Sequence, residues 1–189
     1  MSKLKTFLFG LDRAGKSVVA TYLTKGVVDT NTRPTLAFNT SLLIHPKVQV
    51  DLWDTPGQIK FRKLWYDKVS NAKLLLFVLD TSDSNRFEEA KKELTDFIKG
   101  LYNLNAPLIF CFHQLDKPEA QGNLAKAKAF FDLENIHIKE IYPIETSIKD
   151  LASLEKLRQL IFDLAIKRDI EDEKIARERE ERAKELAKK

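Results

Sequence analysis

Residues 10–17 read Gly10-Leu11-Asp12-Arg13-Ala14-Gly15-Lys16-Ser17. Two glycines frame four residues, and Lys16 and Ser17 follow at once, the G-x-x-x-x-G-K-[ST] spacing of a phosphate-binding loop. Each fixed type has a physical reason. Gly10 and Gly15 let the backbone curve tightly, so that successive N–H groups converge on phosphate oxygens. Lys16 brings a positive charge to the β and γ phosphates, and the Ser17 hydroxyl is a ligand for Mg²⁺. The helix that follows points its N-terminus at the anion. The candidate nucleotide cradle is therefore Asp12, Arg13, Ala14 and Gly15 with the first helical residues Lys16, Ser17 and Val18. A chance match is the alternative. It is weakened by the position of the loop between an apolar strand, Lys3 to Phe9, and a helix, Lys16 to Lys25.

A second stretch, VDLWDTPGQ, ends a strand with Asp54 at its mouth. A carboxylate there can hold the Mg²⁺ through a water. Gly57 lets the chain turn close to the γ phosphate, where its N–H can sense that group, and the Gln58 amide can orient an attacking water. Taken alone, DTPG is an ordinary turn; its pairing with the loop at residues 10–17 gives it a role. Thr35, after Pro34, stands between these two motifs. Its hydroxyl can join Ser17 and Asp54 around Mg²⁺ when a γ phosphate is present, ordering the segment, and release it afterwards. A lone Pro-Thr is otherwise only a turn.

Outward from these motifs the chain alternates strands and helices. Thr35 to Ile44 and Val48 to Trp53 read as a hairpin, and Ile59 to Val69 as a short or irregular helix. Lys73 to Asp80 and Pro107 to Phe112 are apolar runs typical of buried parallel strands. Asn85 to Gly100 carries Phe87, Ala90, Leu94, Phe97 and Ile98 at helical spacing. Leu124 to Leu133 reads as a helix and Ile138 to Ile144 as a strand. Leu151 to Lys167 is an amphipathic helix built on Leu154, Leu157, Leu160, Ile161 and Leu164. The pattern predicts an α/β sheet covered on both faces, with six strands and five main helices.

Composition sets bounds. Lys and Arg number 32 against 28 Asp and Glu, a formal charge of +4, and no compact basic cluster suggests a nucleic-acid partner. Cys111 is the one cysteine, which excludes an intrachain disulfide and fits a reducing, cytoplasmic setting. No apolar run reaches the ~20 residues of a membrane span. Ser2 stands where myristoylation needs glycine, and the chain ends AKK without a prenylation box. Membrane association is expected only peripherally, through a partner. The composition breaks near Asp169, which divides the chain into a domain at 1–168 and a charged helical extension at 169–189. Glu173 before Arg177, Glu178 before Arg182 and Glu180 before Lys184 give acid-first pairs four apart, each worth ~0.2–0.5 kcal/mol to an exposed helix. His45 reads as an exposed hairpin residue, His137 as structural or solvated, and Cys111 as core. Trp53 is expected behind the magnesium site, and Trp65 and Tyr66 either in the core or at a partner interface.

With these residues in hand, the chain resembles the small GTPases of the Ras superfamily, and the Arf/Sar-like branch most closely. GLDRAGKS, PTLAFN, WDTPGQ and DTSDSNRFEEAKKEL carry the resemblance, which covers residues 3–168. It implies a P-loop small G domain: a six-stranded, mainly parallel sheet with one antiparallel hairpin strand and helices on both faces. It also implies binding of GTP and GDP with Mg²⁺ and slow hydrolysis of GTP. Two switch segments would be read by an exchange factor, a GTPase-activating partner and effectors. By this resemblance Lys16 and Ser17 bind phosphate and magnesium, Thr35 is the switch I threonine, Asp54 supports magnesium, and Gly57 and Gln58 belong to switch II, with Gln58 as the catalytic water-positioner.

The chain departs from the branch at three places. Pro56 replaces the first of two glycines before Gln58; it lacks an N–H and fixes φ, which stiffens switch II, and Rag-type GTPases carry a similar Pro-Gly-Gln. The amphipathic helix that Arf proteins place before the first strand is not expected here. The base-reading motif, usually Asn-Lys-x-Asp, is His113-Gln114-Leu115-Asp116. Asp116 keeps the paired acceptors for guanine N1–H and N2–H₂, Gln114 can still pack on the base without a charge, and His113 again resembles the Rag type. Thr146-Ser147-Ile148 resembles the last base-contacting loop. The alternative to a hydrolysing switch is a Rag-like homo- or heterodimer that scaffolds with little turnover. A third class, another P-loop enzyme such as a kinase, is disfavoured because PTLAFN and WDTPGQ supply switches rather than a second-substrate cavity.

Overall fold

The computed structural model describes residues 3–101 and 104–186. Met1 and Ser2, and the AKK end of the tail at 187–189, lie outside the described residues. The strands are β1 (Lys3–Phe9), β2 (Asn39–Ile44), β3 (Gln49–Asp54), β4 (Ala72–Asp80), β5 (Leu108–His113) and β6 (Ile141–Glu145). The helices are α1 (Lys16–Lys25), α2 (Leu64–Lys68), α3 (Phe87–Lys99), α4 (Pro118–Phe131) and α5 (Leu151–Leu186). The sheet order is β2-β3-β1-β4-β5-β6. Among the described strands of the sheet, only the β2–β3 pair is antiparallel.

The sequence dictates this arrangement through burial. Phe7, Leu8 and Phe9 of β1, Leu74 to Val78 of β4 and Leu108 to Phe112 of β5 are wholly inaccessible, as central parallel strands covered on both faces must be. One face packs α1 and α5 on the sheet through Val19, Leu23, Leu52, Leu76, Leu157 and Ile161. The other holds an aromatic cluster under α2, α3 and α4. Phe97 of α3 lies at its centre, with ring centroids 4.7 Å from Phe9, 5.6 Å from Trp65 and 5.2 Å from Tyr66. All five apolar residues expected on the inner face of α3 are buried there. The order of strands reverses between β1 and β4, so the loop after β1 opens at the switch point of the sheet.

Four elements differ from the sequence reading by more than two residues or by a break. β2 begins at Asn39 rather than Thr35, because Thr35 is held away from the sheet against Ser17. The helix expected at 59–69 divides into a 3-10 turn, Ile59–Phe61, and the short α2. α4 starts at Pro118, six residues before the first leucine of the apolar pattern; Pro118 occupies its first turn, where a missing N–H costs nothing. β6 is Ile141–Glu145, three residues later than expected. α5 runs unbroken through the composition change at 169. Lys73 pairs with Asp172 at 2.6 Å, and every described residue from Glu173 onward is exposed.

His45 is a correction. Its ring lies 4.9 Å from that of Phe162, so it covers α5 rather than standing free. Trp65 is core, 1% exposed, while Tyr66 is 45% exposed. Trp53 does not back Asp54: successive strand residues face opposite sides, and Trp53 packs at a tilt against Phe38 and lies under the Lys5 ammonium on the far face.

Truncating the aromatic hub, Phe97→Ala, is expected to destabilise the fold by about 3–5 kcal/mol, read from urea unfolding. A loss below 1 kcal/mol contradicts the placement of Phe97 at the centre of this cluster.

Candidate functional site

The loop between β1 and α1 closes on itself in the manner the glycines require. Gly15 caps α1 with φ 89°, and a Cβ there would stand 2.6 Å from Cδ2 of His113. Lys16 is buried, and its Nζ donates to the Leu11 carbonyl at 2.6 Å. Burial pulls its pKa down to about 8, against the opposing attraction of Asp54 and Asp12. A charge desolvated in this way is stabilised by an anion brought beside it.

Three oxygens from three separate segments meet beside the lysine. Ser17 Oγ donates to Asp54 Oδ2 at 2.7 Å and lies 2.9 Å from Thr35 Oγ1. Burial raises the Asp54 carboxyl above its ordinary pKa, opposed by its hydrogen bonds and by Lys16. Its other oxygen, Oδ1, is buried and has no partner among the described residues. A carboxylate oxygen left unpaired in the interior is costly, and two hydroxyls with one carboxylate are the hard oxygen donors that suit Mg²⁺. The residues present therefore fit that ion: Ser17 and Thr35 as hydroxyl ligands, Asp54 through water.

Opposite lies the turn after β3. Asp12 N donates to the Gly57 carbonyl at 3.1 Å. A Cβ on Gly57 would come within 2.4 Å of Asp12 N and 2.5 Å of Lys16 Nζ, so only glycine fits. Pro56 has one backbone polar group, its carbonyl, and it accepts from Trp65 Nε1 at 2.9 Å. Gln58 is half-buried at the rim of a cavity of about 330 Å³ shared with Lys16, Ser17, Thr35 and Gly57.

The sequence reading missed two arginines here. Arg62 is buried; its Nε donates to the Gly57 carbonyl at 2.8 Å, and it pairs with Glu89 at 2.7 Å, Glu93 at 3.0 Å and Asp12 at 3.5 Å. Arg86 holds the Asp12 carboxylate at 2.8 Å and its carbonyl at 2.9 Å. Burial pushes Asp12 upward, but Arg86 and Arg62 outweigh it and keep the carboxyl below its ordinary range. A charged residue in a helical pattern reads as solvated face; only the tertiary fold reveals these two.

The second half of the site lies at the ends of β5 and β6. Gln114 Nε2 donates to the Arg13 carbonyl at 2.8 Å, so it braces the loop without a charge. His113 is 1% exposed, and its Nδ1 lies 2.8 Å from Thr146 Oγ1. Burial pulls its pKa down to about 4, with Asp116 and Asp80 opposing; the ring is neutral at pH 7. Ser147 Oγ donates to Asp116 Oδ1 at 3.2 Å, which joins the two base-reading segments. Ile148 follows half-buried. Ala14 is buried under the loop, and Val18 lies half-buried in the first turn of α1. Cys111 Sγ lies 3.0 Å from the same Thr146 hydroxyl, and burial pushes its thiol up to about 12. It is inert core.

A model of the ADP-ribosylation factor family matches residues 1–165. Among solved structures, the chain is similar to the Arl6 BBS3 small GTPase of Trypanosoma brucei with a bound nucleotide analogue, GppNp. The TM-score is 0.72 at 21% identity, over 87% of this chain and 99% of that one. At that identity the likeness speaks for the fold.

His113 makes a pH prediction. Its folded pKa lies below its unfolded value, near 6.5, so the unfolded chain binds the extra proton. The stability it confers is complete above about 6.5 and is lost as pH falls toward about 4. Urea unfolding across that window should show a loss on the order of 2–3 kcal/mol from this group. The slope should flatten in His113→Asn; an unchanged slope contradicts a buried neutral ring.

Proposed function

The chain belongs to the ADP-ribosylation factor family and is a small GTPase that binds GTP and GDP with Mg²⁺ and hydrolyses GTP; on that premise we propose which of its residues carry each step. The observation that carries the assignment is the meeting of Ser17, Thr35 and Asp54 beside the buried Lys16. Asp12 to Val18 wrap the phosphates, with backbone N–H groups and the start of α1 toward the anion. Lys16 neutralises the β and γ phosphates. Ser17, Thr35 and Asp54 would hold the Mg²⁺, which would supply positive charge to the phosphate oxygens.

Switching follows from the same geometry. Thr35 is the one hydroxyl of the set that lies outside regular structure, so its attachment to the ion would order residues 26–38 while the triphosphate is bound. Gly57 offers its N–H to the γ phosphate, and Gln58 orients the attacking water from the cavity rim. Guanine is read by the Asp116 carboxylate at N1–H and N2–H₂, with Ser147 holding that carboxylate in place. The backbone of Thr146-Ser147-Ile148 faces O6. Gln114 and His113 support this pocket through Arg13 and Thr146.

Small GTPases of this family act through regulators and effectors. For this chain we place the readout on the two switches, with an exchange factor reloading GTP and an activating partner speeding hydrolysis. We place the protein in the cytoplasm, supported by the single reduced thiol of Cys111, and at membranes only through a bound partner.

Asp116→Asn tests the base assignment. The change keeps size but replaces one acceptor oxygen with a donor. Competition binding should show the preference for GDP over ADP falling by 10-fold or more, with a gain for xanthosine diphosphate. Full retention of the guanine bias contradicts the assignment.

A further inference from the structure

Two further arginines border the phosphate cavity. Arg13 and Arg33 both line it with Lys16 and Gly57, and both are exposed. Among the described residues neither guanidinium takes part in an ion pair. The acid in the same cavity, Asp12, is already engaged by Arg86 at 2.8 Å and Arg62 at 3.5 Å. The cavity therefore presents unneutralised guanidinium charge to whatever anion enters it.

The two arginines sit on different segments, Arg13 in the phosphate loop and Arg33 between α1 and β2. The Arg13 carbonyl accepts from Gln114, which ties that stretch of backbone to the base-reading segment. Arg33 lies two residues before Thr35, whose hydroxyl is 2.9 Å from Ser17 Oγ. Pro34 between them fixes φ and leaves the connection little slack. The Thr35 contact thus keeps position 33 two residues from the Ser17–Thr35 junction, in the cavity that Lys16, Gly57 and Gln58 also line, where the proposed function puts the γ phosphate.

We propose that Arg33 is a catalytic residue that acts in cis, its guanidinium stabilising the charge that develops on the γ phosphate during hydrolysis. The inference rests on the phosphate-site reading. In the step itself the water oxygen bonds to the γ phosphorus while the bond to the β,γ-bridging oxygen breaks. The electron pair leaves on the β phosphate of GDP. One water proton stays on the inorganic phosphate and the other passes to solvent at neutral pH. Charge spreads over the equatorial oxygens and the leaving oxygen, and a planar fork of donors matches it better than a point charge. Because Arg33 shares its short segment with Thr35, the same ordering that completes the magnesium site delivers the arginine. Charge stabilisation is then present only with the triphosphate and magnesium in place.

The test is single-turnover hydrolysis of bound GTP by wild type, Arg33→Ala, Arg33→Lys and, as a charge control, Lys25→Ala, which is exposed at the far end of α1. Affinities for GDP, for a non-hydrolysable GTP analogue and for GDP with aluminium fluoride are measured alongside. Arg33→Ala is expected to slow hydrolysis by about 30-fold, the gap between switches with and without an arginine in cis. GDP and analogue affinities should stay within about threefold, and the aluminium fluoride complex should weaken in parallel with the rate. Arg33→Lys should recover only part of the rate, and Lys25→Ala should match wild type. Hydrolysis by Arg33→Ala within twofold of wild type overturns the proposal. So does a rate loss no larger than the loss of analogue affinity. Wild type that binds neither GDP nor the analogue overturns the phosphate-site reading itself, and this inference with it.

Discussion

The Ser17 hydroxyl lies between the Asp54 carboxylate at 2.7 Å and the Thr35 hydroxyl at 2.9 Å. This junction joins the first turn of α1, the end of β3 and the irregular segment between α1 and β2, which are remote in sequence. The sheet makes the meeting possible. β1 pairs in parallel with β3, Leu8 beside Asp54, so the loop after β1 and the carboxylate at the end of β3 emerge at the same edge. Burial then gives the junction its chemistry. Asp54 Oδ1 is left without a partner among the described residues, and Lys16 is desolvated beside it. Such a pair of groups is better satisfied with an ion and phosphates than without them.

The other wall of the cavity is held by charge rather than by apolar packing. Arg62 reaches the Gly57 carbonyl while pairing with Glu89 and Glu93 of α3, and Arg86 fixes Asp12 in the phosphate loop. Arg62 is buried while Glu89 and Glu93 are partly exposed, so removing its acidic partners leaves an uncompensated buried charge, which is destabilising. Pro56 fits this arrangement. Its missing N–H is not needed, and its carbonyl is taken by Trp65, whose ring belongs to the cluster around Phe97. The turn that carries Gln58 is therefore connected through Trp65 to the aromatic core and through Arg62 to α3.

Much of this was legible in the sequence. Glycines at fixed spacing, a strand before them and a helix after them announce the phosphate loop, because few other reasons place Lys and Ser directly behind such a turn. The apolar runs of β4 and β5 and the helical spacing of α3 declare their burial. Elements set by tertiary contact were not legible. β2 starts late because Thr35 is committed to Ser17. The first turn of α4 is Pro118, Glu119, Ala120 and Gln121, in which only Ala120 is buried, so it carries no apolar period. Arg62 and Arg86 look like surface charge until their acidic partners are seen in space. Gln114 illustrates the opposite limit: its sequence position was informative, but the bond to the Arg13 carbonyl depends on the fold.

The central claim is that the γ phosphate, acting with Mg²⁺, orders the segment around Thr35 and the turn at Gly57 together. Amide hydrogen exchange of residues 28–38 and 56–62, compared between the Mg²⁺ complexes of GDP and a non-hydrolysable GTP analogue, tests it most directly. The account predicts slower exchange of both segments with the triphosphate analogue, and loss of that protection at Thr35 when Mg²⁺ is removed. Identical exchange in the two nucleotide complexes would contradict it.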